Sequence, residues 1–97
     1  MRFKVQVGGR GGVPVDAAAV VLNVTVTEAG AAGFATVFPC GSDRPNASSL
    51  NFVTGSTVPN GVISKLGSGS SSVGKVCVFV SQATHLVVDV AGYFPAP

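Results

Sequence analysis

Residues 19–27, Ala-Val-Val-Leu-Asn-Val-Thr-Val-Thr, alternate along their whole length. Val20, Leu22, Val24 and Val26 fall on one side of an extended chain and Val21, Asn23, Thr25 and Thr27 on the other, because successive side chains of a strand point to opposite faces. One face is core and the other meets a different environment. The period recurs: Val76, Val78 and Val80 oppose Cys77 and Phe79, and Leu86, Val88 and Val90 oppose Val87, Asp89 and Ala91. Helical periodicity is nearly absent. The pattern predicts strands over residues 2–7, 18–27, 33–38, 48–53, 58–66, 75–80 and 85–94. The sixth is apolar on both sides, as a central strand of a sandwich is.

The breaks between these segments have their own chemistry. Gly8-Gly9-Arg10-Gly11-Gly12 supplies positive φ freely, and Pro14 fixes φ ahead of the second strand. The stretch 28–33 is short and glycine-bearing, which predicts a hairpin between the second and third strands. Asp43, Pro45 and Asn46 favour local turns in the loop after Cys40. Residues 67–74 hold four Ser, three Gly and Val73, a composition expected to pack nothing and to form a loose tip. No segment repeats another at a fixed period.

With 97 residues there is room for one core, so residues 1–97 are read as one domain. The expected fold is an all-β antiparallel sandwich of about seven strands, Ig-like or jelly-roll. Its core is expected to contain Val20, Leu22, Val24, Phe34, Phe38, Leu50, Phe52, Ile63, Val76, Val78, Leu86 and Val88. Charged residues make up 10% of the chain against roughly 25% in ordinary soluble domains, so solubility rests on hydroxyls and amides. Arg2, Lys4, Arg10, Arg44, Lys65 and Lys75 are scattered and the net charge is +2, which argues against nucleic acid and anionic membrane as partners. No apolar run approaches the roughly 18 residues of a membrane helix, and no signal-peptide core precedes the first strand, so membrane insertion is not expected.

Two cysteines, Cys40 and Cys77, have neither zinc-ligand spacing nor a C-x-x-C arrangement. A single disulfide is the expectation, with an extracellular location; two buried free thiols in a reducing compartment are the alternative.

Several runs together resemble a module common in secreted actinobacterial proteins: residues 19–27, Gly33-Phe34-Ala35-Thr36-Val37-Phe38-Pro39-Cys40-Gly41, Arg44-Pro45-Asn46-Ala47-Ser48-Ser49-Leu50-Asn51-Phe52, Val58-Pro59-Asn60, and Val87-Val88-Asp89-Val90-Ala91-Gly92-Tyr93-Phe94. They cover nearly the whole chain in order. The resemblance implies an accessory domain, often in tandem or attached to hydrolases, without an activity of its own. Modules of that kind carry an upstream segment ending in Asp-Thr-Arg that has no match here, which predicts a sheet edge open to another copy or a partner.

The inventory for catalysis is thin. His85 is the only histidine, and Asp89 lies four residues further along the same strand, about 13 Å away, so the two share a face without touching. Asp16, Glu28, Asp43 and Asp89 fall in separate segments with no calcium spacing, so neither an enzyme nor a metal or other cofactor is expected. Asp89 sits among Val87, Val88, Val90 and Ala91, where a buried carboxylate needs a partner; Arg10 or Arg44 is the expected one. Asn23 and Asn51 are expected to bond neighbouring strands. The sequons Asn23-Val24-Thr25 and Asn46-Ala47-Ser48 carry no weight in a bacterial chain.

The leading expectation is a secreted, non-catalytic adhesion or carbohydrate-binding accessory module that contacts a cell-surface glycan or protein. Its contact would be made by Arg10, Arg44, Asn46 and Asn60 through hydrogen bonds and by Tyr93 through stacking. The alternative is a structural spacer or self-assembling subunit without a small ligand, forming a homo-oligomer through an open sheet edge.

Overall fold

In the computed structural model, which describes residues 1–46 and 48–97, seven strands form two antiparallel sheets packed face to face. The strands are β1 (Arg2–Gln6), β2 (Ala19–Thr27), β3 (Gly33–Pro39), β4 (Leu50–Phe52), β5 (Val58–Ser64), β6 (Lys75–Val80) and β7 (His85–Phe94). One sheet runs β1-β6-β3-β4 and the other β5-β2-β7. This is the expected all-β sandwich. An immunoglobulin constant-type order would seat β1 beside β2; here β1 pairs with β6, and β2 lies in the opposite sheet. Ala47, the middle residue of the second sequon, lies outside the described residues.

The two central strands make the core. From β2 come Val20, Leu22, Val24 and Val26, and from β6 come Val76, Val78 and Val80, all closed to solvent. The register Ala35↔Val80 and Val37↔Val78 adds two β3 side chains to the same layer. Leu50 and Phe52 of β4 complete it at one flank. Two expectations about this core fail. Ile63 pairs with Val21, whose side chain faces away from the other sheet, and is 66% exposed. A strand flips every side chain with a one-residue change of phase, and β5 turns Val62 and Ser64 inward, so Ile63 is left outside. Phe34 also leaves the core, half-buried on the outer face of the four-stranded sheet, whereas Phe38 is buried as expected, in a second cluster on that face.

That outer face has its own small cluster. Phe38, Cys40 and Cys77 are buried there with Phe79 against them, and Cys40 is bonded to Cys77 across the β3–β6 pair with a Cα–Cα distance of 5.0 Å. Closing a loop of 37 residues contributes about 4 kcal/mol in the chain-entropy model. Arg44, four residues after Cys40, stands over the Phe79 ring of this cluster.

The expected hairpin at 28–33 does not form, because β2 and β3 belong to different sheets. Glu28 takes a positive φ of 54°, Ala29 is buried, and the Gly30 N–H bonds the Ala83 carbonyl, so the link arches over one end of the sandwich. The expectation of a loose tip at 67–74 is corrected as well. Gly67 and Gly74 are buried, each donates a backbone hydrogen bond (to Lys75 and Gly67 carbonyls), and Lys75 Nζ caps the Ser71 carbonyl. A Cβ on Gly67 would collide with the Ser72 and Cys40 carbonyl oxygens, which is why so bare a composition packs so closely.

The inward and outward positions of this sandwich differ enough to be separated by truncation. Leu22→Ala is expected to lower the unfolding free energy by about 2–5 kcal/mol, whereas Ile63→Ala should change it by no more than about 0.5 kcal/mol. Urea titration of both variants measures the contrast, and comparable losses at both sites would contradict the assigned phase of β5.

Candidate functional site

The two long sides of the sandwich are unlike. On one, β4 and β5 close the gap between the sheets, and the Asn60 side-chain amide donates to the Ser49 carbonyl across it. On the other, the edge strands β1 and β7 leave a groove. Two adjoining cavities of ≈ 370 and ≈ 420 Å³ run along it and share Val5 and Val88 as walls. Inner-layer side chains line this groove: Phe3 is 38% and Val90 46% exposed although both belong to inward-facing positions, and Val5, Leu86 and Val88 are half-buried. Lys4, Gln6 and Arg10 rim the β1 side, and Thr84 and His85 stand at the β7 end.

This groove follows from the sequence locally. In β1, Phe3 and Val5 alternate with Arg2, Lys4 and Gln6, and the register Phe3↔Val78 and Val5↔Val76 turns the apolar pair inward beside fully buried valines. In β7, Leu86, Val88 and Val90 sit opposite Val26, Val24 and Leu22. The central strands are therefore covered, while the edge strands have an inner face only partly covered. A row of half-exposed aliphatics beside free backbone groups is able to accept an extended chain. Among the described residues no group of three or more His, Cys, Asp or Glu is placed to hold a metal ion, and no helix is long and apolar enough to cross a membrane.

The residues expected to bind ligand are dispersed. Arg10 lies in the β1–β2 loop, whose Gly9, Gly11 and Gly12 have φ of 82°, 59° and 83°, and it rims the groove beside Val88 and Val90. Arg44 is on the outer face of the four-stranded sheet, its guanidinium 3.8 Å from the centroid of the Phe79 ring, and Arg2 stands 5.3 Å from that of Phe38. Both cations cap the aromatic cluster around the disulfide. Asn46 is exposed in the same loop as Arg44, Asn60 is engaged with the Ser49 carbonyl, and Tyr93 pairs with Val20 near the end of β7. Asn51 accepts a hydrogen bond from Ser48 Oγ, and Asn23 is exposed on the outer face of the three-stranded sheet opposite Asp89.

Asp89 is exposed too, and the expected pairing with a buried arginine is absent: Arg44 covers Phe79, and Arg10 rims the groove on the inner side. The valines around Asp89 are misleading because they alternate, with Val88 facing the other sheet while Val87 and Asp89 face outward. Glu28 Oε2 instead lies 3.7 Å from His85 Nε2, between two well-exposed side chains. The groove residues Phe3, Val5 and Val90 were not singled out by sequence; the available signal was a ten-residue closing strand without proline or basic residues. Comparison of the chain with protein-family models, with curated proteins and with solved structures finds no match.

The exposure of Asp89 sets an expectation of its own. Asp89→Ala should shift stability by no more than about 0.5 kcal/mol, as surface substitutions do. Thermal and urea unfolding of the variant check this, and a loss several times larger would mean that the carboxylate anchors a partner after all.

Proposed function

We propose that this chain is a non-catalytic structural module of an extracellular surface, acting by sheet-to-sheet assembly rather than by holding a small ligand. The observation that carries the reading is the groove between β1 and β7, where inner-layer side chains meet solvent along one whole side. A sandwich that closes one flank with side-chain hydrogen bonds and leaves the other open has a ready surface for a further strand. The disulfide supports an oxidising location, and the resemblance to secreted actinobacterial accessory modules points the same way.

The carbohydrate-binding reading has less support. A sugar site gathers polar groups around an aromatic face, whereas Arg10 stands at the groove, Arg44 on the far outer face, and Asn60 is already engaged.

Light scattering on eluting protein across the micromolar range, run beside a glycan array and pull-down on bacterial cell walls, tests the two readings together. Assembly is expected to produce a concentration-dependent mass above that of one chain, with no glycan retained. A chain that stays monomeric and binds walls, and loses that binding in a folded Arg10→Gln/Arg44→Gln variant, would overturn the structural reading in favour of the ligand-binding one.

A further inference from the structure

The sandwich has four edge strands, and three of them are blunted. β4 is three residues long, β5 carries Pro59, which has no N–H to offer, and the five-residue β1 is flanked by exposed Arg2 and Lys4. Short strands, prolines and basic side chains are the usual means of preventing edge-to-edge pairing. β7 has no proline, lysine or arginine and is not short. It runs ten residues, and its only ionisable side chains besides Tyr93 are His85 and Asp89.

The usable part of β7 is marked by its pairing with β2. From His85↔Thr27 to Val90↔Leu22 the register is uniform; then it shifts, and Val21 faces Gly92, leaving Ala91 as the extra residue of a bulge. Bulges twist a strand and terminate pairing. The regular paired stretch is therefore 85–90; Thr84 adjoins it, its Oγ1 donating to the Thr27 carbonyl, and Val87 lies at the centre of 84–90.

Resting on the assembly reading above, we propose that β7 pairs antiparallel with β7 of a second copy about a two-fold axis at Val87. In that register His85 of each copy lies opposite Asp89 of the other, Leu86 opposite Val88, and Thr84 opposite Val90. An imidazole N–H is able to donate to a carboxylate that faces it across strands, whereas like charges directly opposite are unfavourable. Moving the axis to Val88 puts Asp89 opposite Val87 and carries His85 onto the bulge; moving it to Asp89 sets the two carboxylates face to face. An offset by a single residue would oppose inward with outward positions and separate the apolar faces. The register centred on Val87 alone brings each His85 to the Asp89 of the other copy, keeps the faces aligned and stays clear of the bulge. Val87 is 48% exposed and would meet its own copy on the axis, while the strips of Leu86, Val88, Phe3 and Val5 from the two grooves come to lie side by side. An isologous contact of this kind closes at a dimer.

Cysteine trapping reads the register directly. Val87→Cys should form an inter-chain disulfide on mild oxidation, with Cys40–Cys77 left closed, since directly opposed strand residues lie within bridging distance. His85→Cys and Asp89→Cys should each fail to cross-link alone, the two cysteines of a homodimer being about 13 Å apart, and should cross-link when the two variants are mixed. Val87→Lys, which places like charges on the axis, should weaken dimerisation by about tenfold while leaving the melting temperature of the dilute chain unchanged. An oligomer that survives Val87→Lys and is not trapped by Val87→Cys, or one trapped by Asp89→Cys alone, overturns the β7 register while leaving assembly standing. A wild-type chain that remains monomeric throughout the micromolar range overturns both.

Discussion

Everything in this fold depends on two valine-rich strands meeting across the sandwich. Val20, Leu22, Val24 and Val26 of β2 face Val76, Val78 and Val80 of β6, and burying such side chains fully is worth roughly 1.5–3 kcal/mol each. Only the Cys40–Cys77 disulfide, at about 4 kcal/mol in the chain-entropy model, is comparable with one of these side chains, and the valine layer outweighs it in sum. The chain has no tryptophan and few charges, and exposed pairs such as His85 with Glu28 contribute about 0–1 kcal/mol. Each central strand carries its neighbours by backbone pairing, β5 and β7 on β2, and β1 and β3 on β6. The connections then serve mainly to pass the chain between layers: only the β3–β4 loop joins partners within one sheet.

The strands were legible because period-two alternation is a local property, and five of the seven both begin and end within a residue of where the sequence placed them; β4 and β5 are shorter than their patterns suggested. Which face of a strand is the inner one is decided by the strand's neighbours, and the sequence is silent on them where both faces are apolar or both polar. β2 is neither case, since Asn23, Thr25 and Thr27 mark the outside. β5 shows the failure: Val58, Asn60, Val62 and Ser64 are the inward set, so the inner face is the more polar one, and Ile63 is outside. The hairpin expected at 28–33 failed for a related reason, because a short glycine-bearing link is equally able to arch between layers.

The candidate site was less legible than the fold. Arginines on glycine-rich loops look like ligand contacts in a sequence, yet Arg44 is drawn onto the Phe79 ring because the outer face of its sheet is unusually aromatic, with Phe34 5.9 Å from Phe79 and Phe38 buried beside the disulfide. Asp89 looked buried because four aliphatic neighbours surround it in sequence, whereas alternation puts it on the solvent side. The open flank depends on strand order, which brings the two edge strands β1 and β7 to one side of the sandwich, and strand order is not encoded in any local pattern.

The account therefore describes a module whose centre is complete and whose β1–β7 side is not. Residue-resolved hydrogen exchange, compared between dilute and concentrated protein, tests that claim most directly. Amides of β2 and β6 should exchange only through global unfolding at both concentrations, while those amides of 84–90 that point away from β2 should exchange rapidly in dilute protein and become protected as the concentration rises. Outward β7 amides that are protected equally in dilute protein, or concentration-dependent protection confined to another strand, would contradict it.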